Sequence, residues 1–136
     1  MNALETRLRE ALEGLPNVEL AVLFGSRARA NARSVSDVDL GVRLSDGSIE
    51  QRRMVELVLG RAVGCRVDVV DLDQSPPLLR FEIAREGKVL VERHAHAWAD
   101  FRARAMLDWW DWAPIARRIH AAAVARLRDR TARGPT

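Results

Sequence analysis

The strongest constraint on the fold is a Gly-Ser pair that lies between two predicted strands. Val18–Phe24 (VELAVLF) is almost wholly apolar, which predicts a buried strand, and Gly25 ends it. Asp37–Leu44 (DVDLGVRL) alternates polar and apolar residues, which predicts a second strand. Ten residues separate Ser26 from Asp37. A sheet is therefore expected at the centre of the molecule, with the Gly-Ser pair at the end of one strand.

Helices and further strands alternate along the rest of the chain. Leucines at helical spacing predict one helix, and prolines at a helix start predict another, with Ser75 as its cap. The predicted elements are a helix over 3–14, a helix over 49–59 that ends at Gly60, a strand over Arg66–Leu72, a helix from Pro76 to about Glu86 and a strand over Lys88–Glu92. This order predicts an α/β (α+β) fold with a mixed sheet of about four strands flanked by helices.

The last third of the chain has only helical character. Its apolar stripe consists of Trp98, Phe101, Ala105, Trp109 and Trp112. Pro114 is expected to break or kink the helix, so the sequence predicts a C-terminal helical hairpin. We therefore expect a core over residues 1–92 and a helical extension over residues 93–136 that packs on it, within a single domain.

Charge and composition narrow the functional classes. The formal net charge is +3, but residues 1–92 carry 13 basic and 15 acidic side chains, whereas residues 93–136 carry nine arginines and four acidic side chains. The basic tail has no interleaved aromatic residues and no reading motif, so direct nucleic-acid binding is not expected. No apolar run approaches the ~18 residues of a membrane helix. A single cysteine, Cys65, fits a reducing compartment, and the cytoplasm is the expected location.

The Gly25-Ser26 pair is suited to binding phosphate. A glycine and a serine that follow a buried strand and open a short helical segment expose backbone N–H groups and a hydroxyl. Arg27 and Arg29 follow closely and could add positive charge to such a site. A phosphate-bearing ligand is therefore expected at the end of the first strand.

Asp37 and Asp39 predict a site for a divalent cation. Residues two apart on a strand point to the same face and lie about 6.6–6.8 Å apart along it. Two neighbouring carboxylates repel each other unless a positive charge lies between them, and Mg²⁺ prefers such oxygen ligands. A third carboxylate would complete a two-metal site of the kind that organises phosphoryl or nucleotidyl transfer.

Asp68 is the preferred third carboxylate. Its neighbours Val67 and Val69 have the character of core residues, so Asp68 is expected on the opposite face of its strand. Asp71 and Asp73 form a second Asp-x-Asp pair and are the alternatives. They fall at the strand end and in the following loop, where carboxylates are commonly solvated or cap a helix.

The combined motif resembles the signature of a known enzyme family. Gly25-Ser26, ten residues and then Asp37-Val38-Asp39 is similar to the pattern of the polymerase-β-type nucleotidyltransferases. The Arg-Ala-Arg-Ala continuation and the short length resemble the minimal nucleotidyltransferase (MNT) antitoxins of that superfamily. The strand Arg66–Leu72 is similar to the one that carries the family's third acid. The resemblance implies a polymerase-β-like nucleotidyltransferase fold.

The resemblance also implies a role for each candidate residue. Members of the family join a nucleoside monophosphate to an acceptor hydroxyl and release pyrophosphate. The residues implied to hold ATP through its phosphates are Gly25, Ser26 and either Arg27 or Arg29. The residues implied to coordinate two Mg²⁺ ions are Asp37, Asp39 and Asp68. Asp68 is further implied to help deprotonate the acceptor hydroxyl.

MNT antitoxins typically pair with HEPN ribonuclease toxins. The resemblance therefore implies an antitoxin that transfers AMP from ATP to a hydroxyl, that of a tyrosine, in a partner HEPN toxin. One alternative is a non-catalytic antitoxin that neutralises its partner by binding. Another is nucleotidyl transfer to a small molecule such as an aminoglycoside, which would need walls from a second subunit. A homo- or hetero-oligomer is compatible with these functions.

Overall fold

A computed structural model describes residues 2–25 and 38–133 of the chain, and within them four helices and four strands. The helices are α1 (Ala3–Glu13), α2 (Ile49–Val63), α3 (Pro77–Glu86) and α4 (Ala97–Arg133). The strands are β1 (Val18–Phe24), β2 (Val38–Leu44), β3 (Val67–Asp71) and β4 (Lys88–Glu92). The predicted alternation of helices and strands is confirmed.

The four strands form one mixed sheet in the order β3-β2-β1-β4. Strand β1 pairs antiparallel with both β2 and β4, whereas β2 and β3 run parallel. A parallel pair needs a crossover connection, and α2 supplies it. The predicted mixed sheet is confirmed, and β3 forms one of its edges.

Two cores cover the two faces of the sheet. On one face, α1 and α2 pack on alternate strand residues such as Leu23 and Leu40. On the other face, α3 and the first half of α4 pack on the intervening residues, and Phe101 of α4 is almost fully buried against Val22 and its neighbours. The sheet is therefore the middle layer of three, as the alternating pattern of its strands requires.

Two helix boundaries differ from the predicted ones. Helix α2 passes through Gly60 and ends at Gly64, whose φ of 73° is the left-handed conformation that commonly follows a helix. Burial of Leu59 within the first core offsets the cost of a glycine inside the helix. Ser75 does not cap α3, because Pro76 occupies the cap position and the Ser75 hydroxyl donates to the Asp71 carbonyl at 2.6 Å.

The predicted C-terminal hairpin is wrong, because α4 is one continuous helix of 37 residues. At 1.5 Å per residue it is about 55 Å long. Pro114 lies inside the helix and cannot donate to the carbonyl of Trp110, four residues earlier. Both residues lie on an exposed side of the helix, where water can replace the missing N–H group. The proline is therefore tolerated without a break.

Only the first half of α4 packs on the rest of the molecule. Its buried residues are Ala97, Phe101, Ala105 and Ala113. The ion pair between Arg80 of α3 and Asp108, at 2.6 Å, also joins this half to the core. Beyond Ala113, no side chain that the structure describes is buried. Among the helices of the described ranges, none combines the length and apolarity needed to cross a membrane.

Deleting residues 117–136 is expected to leave the thermal stability almost unchanged. None of the described side chains in this segment is buried, so little apolar surface is lost from the folded state. The melting temperature followed by circular dichroism is expected to stay within about 3 °C of the full chain. A fall of more than about 10 °C would show that the segment packs on the core.

Candidate active site

Gly25 lies at the end of β1 in a conformation that favours glycine. Its φ is 75°, in the left-handed region where a side chain is strained. A Cβ atom built at this position would lie 2.7 Å from Oδ2 of Asp39. Glycine is therefore required both by the turn of the chain and by the close approach of the Asp39 carboxylate.

Asp39 and Asp68 are direct neighbours across the parallel pair β2 and β3. Their Cα atoms are register partners, so the two side chains share one face of the sheet, on strands about 4.8 Å apart. Phe24, the last residue of β1, is the register partner of Asp39 on its other side. The strand order thus places both carboxylates beside Gly25, at the edge where β1 ends and β3 begins.

Burial along β3 confirms the predicted orientation of Asp68. Val67 and Val69 are buried in the first core, while Asp68 is half-exposed on the opposite face. Nη2 of Arg66 lies 3.1 Å from Oδ2 of Asp68, and this exposed ion pair partly balances the acidic charge. The sequence alternation therefore placed this carboxylate correctly with respect to the core.

The alternative carboxylates are engaged in other contacts. Oδ1 of Asp71 accepts backbone N–H bonds from Asp73 at 2.8 Å and Gln74 at 3.2 Å, which closes the turn after β3. The Asp73 carboxylate accepts two hydrogen bonds from the Arg43 guanidinium, both at 3.0 Å. The hydrogen bond to Asp73 raises the pKa of Arg43 above its ordinary value. Asp71 is three residues, about 10 Å, along β3 from Asp68, and Asp73 lies beyond the end of the strand.

Four of the predicted site residues lie outside the described ranges: Ser26, Arg27, Arg29 and Asp37. Their roles stay predictions. Within residues 2–25 and 38–133, no three His, Cys, Asp or Glu side chains are arranged to hold a metal ion. Asp39 and Asp68 nevertheless fit Mg²⁺ chemically, because they supply carboxylate oxygens from adjacent strands on one half-exposed face.

Sequence reasoning missed a basic cleft that adjoins Asp68. It lies between α2 and β3, and two of its residues, Arg53 and Arg61, are eight positions apart on α2. In the sequence they are indistinguishable from the solvated arginines found elsewhere in the chain. The available signal was their helical spacing with Leu57, an exposed apolar residue between them.

Comparison with known proteins identifies the class to which this fold and site correspond. Residues 6–96 match the family described as polymerase beta, nucleotidyltransferase. The match spans the whole sheet and both carboxylates, and it ends just before α4. The chain belongs to this nucleotidyltransferase family, and the resemblance drawn from the Gly-Ser and Asp-x-Asp motifs is confirmed.

Proteins similar to this chain include an adenylyltransferase and members of toxin–antitoxin complexes. The protein adenylyltransferase MntA of Aphanizomenon flos-aquae is 29% identical over 108 residues, which are 71% of this chain and 72% of the relative. A crystal structure of a toxin–antitoxin with AMP-PNP superposes with a TM-score of 0.66 at 23% identity, covering 92% of this chain and 96% of that one. An MNT antitoxin in complex with tri-AMPylated Shewanella oneidensis HEPN toxin gives 0.60 at 21% identity, covering 92% and 97%. The two structures show that the fold is shared.

Proposed function

We propose that this protein is an antitoxin that transfers AMP from ATP to a tyrosine hydroxyl of a partner HEPN ribonuclease toxin. The observation that carries the proposal is the register pairing of Asp39 with Asp68 beside Gly25. Family membership supports nucleotidyl transfer, and the relative named as a protein adenylyltransferase supports a protein acceptor. The similar structures that contain AMP-PNP or an AMPylated HEPN toxin support ATP and a HEPN protein as substrates.

The proposed reaction forms one phosphorus–oxygen bond and breaks another. The acceptor oxygen attacks the α-phosphorus of ATP, and the bond to the oxygen that bridges to the β-phosphate breaks. Pyrophosphate leaves with that electron pair. The proton of the acceptor hydroxyl passes to the Asp68 carboxylate, which is half-exposed on the face of the site. Most of the rate enhancement comes from orienting the two reactants.

The other site residues bind and orient ATP. Backbone N–H groups of Gly25 and Ser26 hold the triphosphate together with the Ser26 hydroxyl, and either Arg27 or Arg29 contacts the phosphates. When bound, two Mg²⁺ ions neutralise phosphate charge and polarise the α-phosphate. The residues that would hold these ions are Asp37, Asp39 and Asp68. We expect the protein to act in the cytoplasm, where the Cys65 thiol stays reduced.

ATP labelled on the α-phosphate tests this proposal. With Mg²⁺ and the HEPN protein encoded by the adjacent gene, label is expected on the toxin, and its ribonuclease activity is expected to fall as label accumulates. ATP labelled on the γ-phosphate is the matched control, because that label leaves with pyrophosphate. Addition of EDTA is expected to stop the transfer, since the phosphate charge is then left unneutralised.

The other outcomes separate the alternative functions. A stable complex of the two proteins without label on the toxin would contradict AMP transfer and indicate an antitoxin that acts by binding. Label on an aminoglycoside and none on the toxin would indicate a small-molecule acceptor. Label from the γ-phosphate would contradict nucleotidyl transfer altogether.

A further inference from the structure

We propose that a cleft on the outer side of β3 binds an acidic polypeptide segment next to the hydroxyl that receives AMP. The cleft has a volume of about 680 Å³ and lies between α2 and β3. The residues that carry the argument are Arg53, Glu56, Leu57, Arg61, Arg66 and Asp68. The inference rests on the proposed function, because that function makes Asp68 the carboxylate nearest the acceptor.

The strand order separates this cleft from the nucleotide side of the site. Gly25 follows β1, and the order β3-β2-β1 puts it two strands, about 10 Å, from β3. Asp39 lies between these positions on β2, and Asp68 lies on β3 at the border of the cleft. A triphosphate at Gly25 would therefore approach the carboxylates from the β1 side, and a polypeptide in the cleft would approach them from the outer edge of β3. This arrangement suits the in-line attack that nucleotidyl transfer requires.

The unbalanced charge in the cleft is positive. Three arginines and two acidic residues line it, so its formal charge is +1. Asp68 pairs with Arg66, and the Glu56 carboxylate accepts the Val69 N–H at 3.0 Å. Within the part of the chain that the structure describes, neither Arg53 nor Arg61 forms an ion pair. Two arginines that form no ion pair with another described residue favour carboxylates, to which guanidinium groups bind in bidentate geometry.

The spacing of the two arginines fits a polypeptide. Arg53, Leu57 and Arg61 lie four residues apart on one face of α2, so the arginines are about 12 Å apart along the helix. That distance matches about four residues of extended chain. Leu57 is 60% exposed between them and offers apolar contact to a side chain of the bound segment. A free phosphate or pyrophosphate would make no use of this leucine.

The double variant Arg53→Glu/Arg61→Glu tests the cleft in the labelled-ATP assay. The KM for the HEPN toxin is expected to rise at least about tenfold, because both favourable charge contacts become repulsive. The KM for ATP is expected to change less than about twofold. Arg53→Lys/Arg61→Lys keeps the charge and is expected to retain most of the activity. Arg7→Glu, an exposed arginine on α1, is the matched control for an added acidic charge.

The possible results distinguish failure of the cleft proposal from failure of the proposed transfer reaction. An unchanged KM for the toxin would overturn the proposal, and so would an equal rise in the KM for ATP, which would assign the arginines to phosphate. Toxin affinity measured without ATP is a second readout that needs no catalysis. If the natural protein transfers no label, the proposed function fails. Binding of the toxin by the cleft is then still supported if charge reversal weakens this affinity about tenfold, and it is contradicted if the affinity is unchanged.

Discussion

Replacing Asp39 with asparagine is expected to lower the rate of AMP transfer by about 10³-fold while the chain stays folded. Asparagine has nearly the shape of aspartate, but it removes the negative charge that would hold a Mg²⁺ ion against the phosphates. Asp39 also faces Asp68 in register, so removal of one charge reduces repulsion between neighbouring carboxylates. The melting temperature is expected to stay within about 3 °C of that of the natural protein.

Single-turnover transfer of labelled AMP and a thermal melt on the same preparation check this prediction. Asp46→Asn is the matched control. Asp46 is an exposed residue of the turn before α2, so this substitution makes the same chemical change away from the site. A rate for Asp39→Asn within about tenfold of the natural protein would show that the carboxylate is not part of the catalytic machinery. A large fall in melting temperature would show a structural role instead.

The fold was predictable where local pattern and tertiary packing agree. The apolar run of β1 and the alternation of β2 and β3 follow the two faces of the sheet, so burial reproduces the sequence pattern. The predicted helix ends were wrong where the surroundings of a helix-breaking residue allow the helix to continue. Gly60 lies inside α2 because neighbouring residues are buried, and Pro114 lies inside α4 because the carbonyl it leaves unbonded is on an exposed side. Neither context is visible in the local sequence.

The site was predictable to the extent that it depends on spacing along one strand. Alternation placed Asp68 away from the core, but only the strand order brings it beside Asp39, because α2 and a turn separate the two strands in sequence. Strand order also sets which side of the carboxylates faces the basic cleft. The cleft could not be predicted, since the approach of α2 to the edge of β3 is a tertiary feature. The helical spacing of Arg53, Leu57 and Arg61 was the one local signal, and it does not show that α2 lies next to β3.

Gly25→Ala is expected to lower the transfer rate by about 10²-fold and to destabilise the fold by about 1–2 kcal/mol. A residue with a Cβ atom is strained at a φ of 75°. The new methyl group would also lie 2.7 Å from Oδ2 of Asp39, which real atoms do not tolerate, so the carboxylate must move. The loss of stability comes from both effects, whereas the loss of activity comes from displacement of the carboxylate.

Two other glycines separate these effects. Gly64 has a φ of 73° but open space around the position of a Cβ atom, so Gly64→Ala carries the backbone strain alone. It is expected to cost about 1 kcal/mol and to leave the transfer rate unchanged. Gly47→Ala has neither strain nor a close neighbour and should alter neither quantity. If Gly25→Ala and Gly64→Ala lost stability equally and both retained activity, the close approach of Gly25 to Asp39 would have no role in positioning the carboxylate. A selective loss of activity in Gly25→Ala would assign that role to the glycine, because only there does the added methyl group meet the carboxylate.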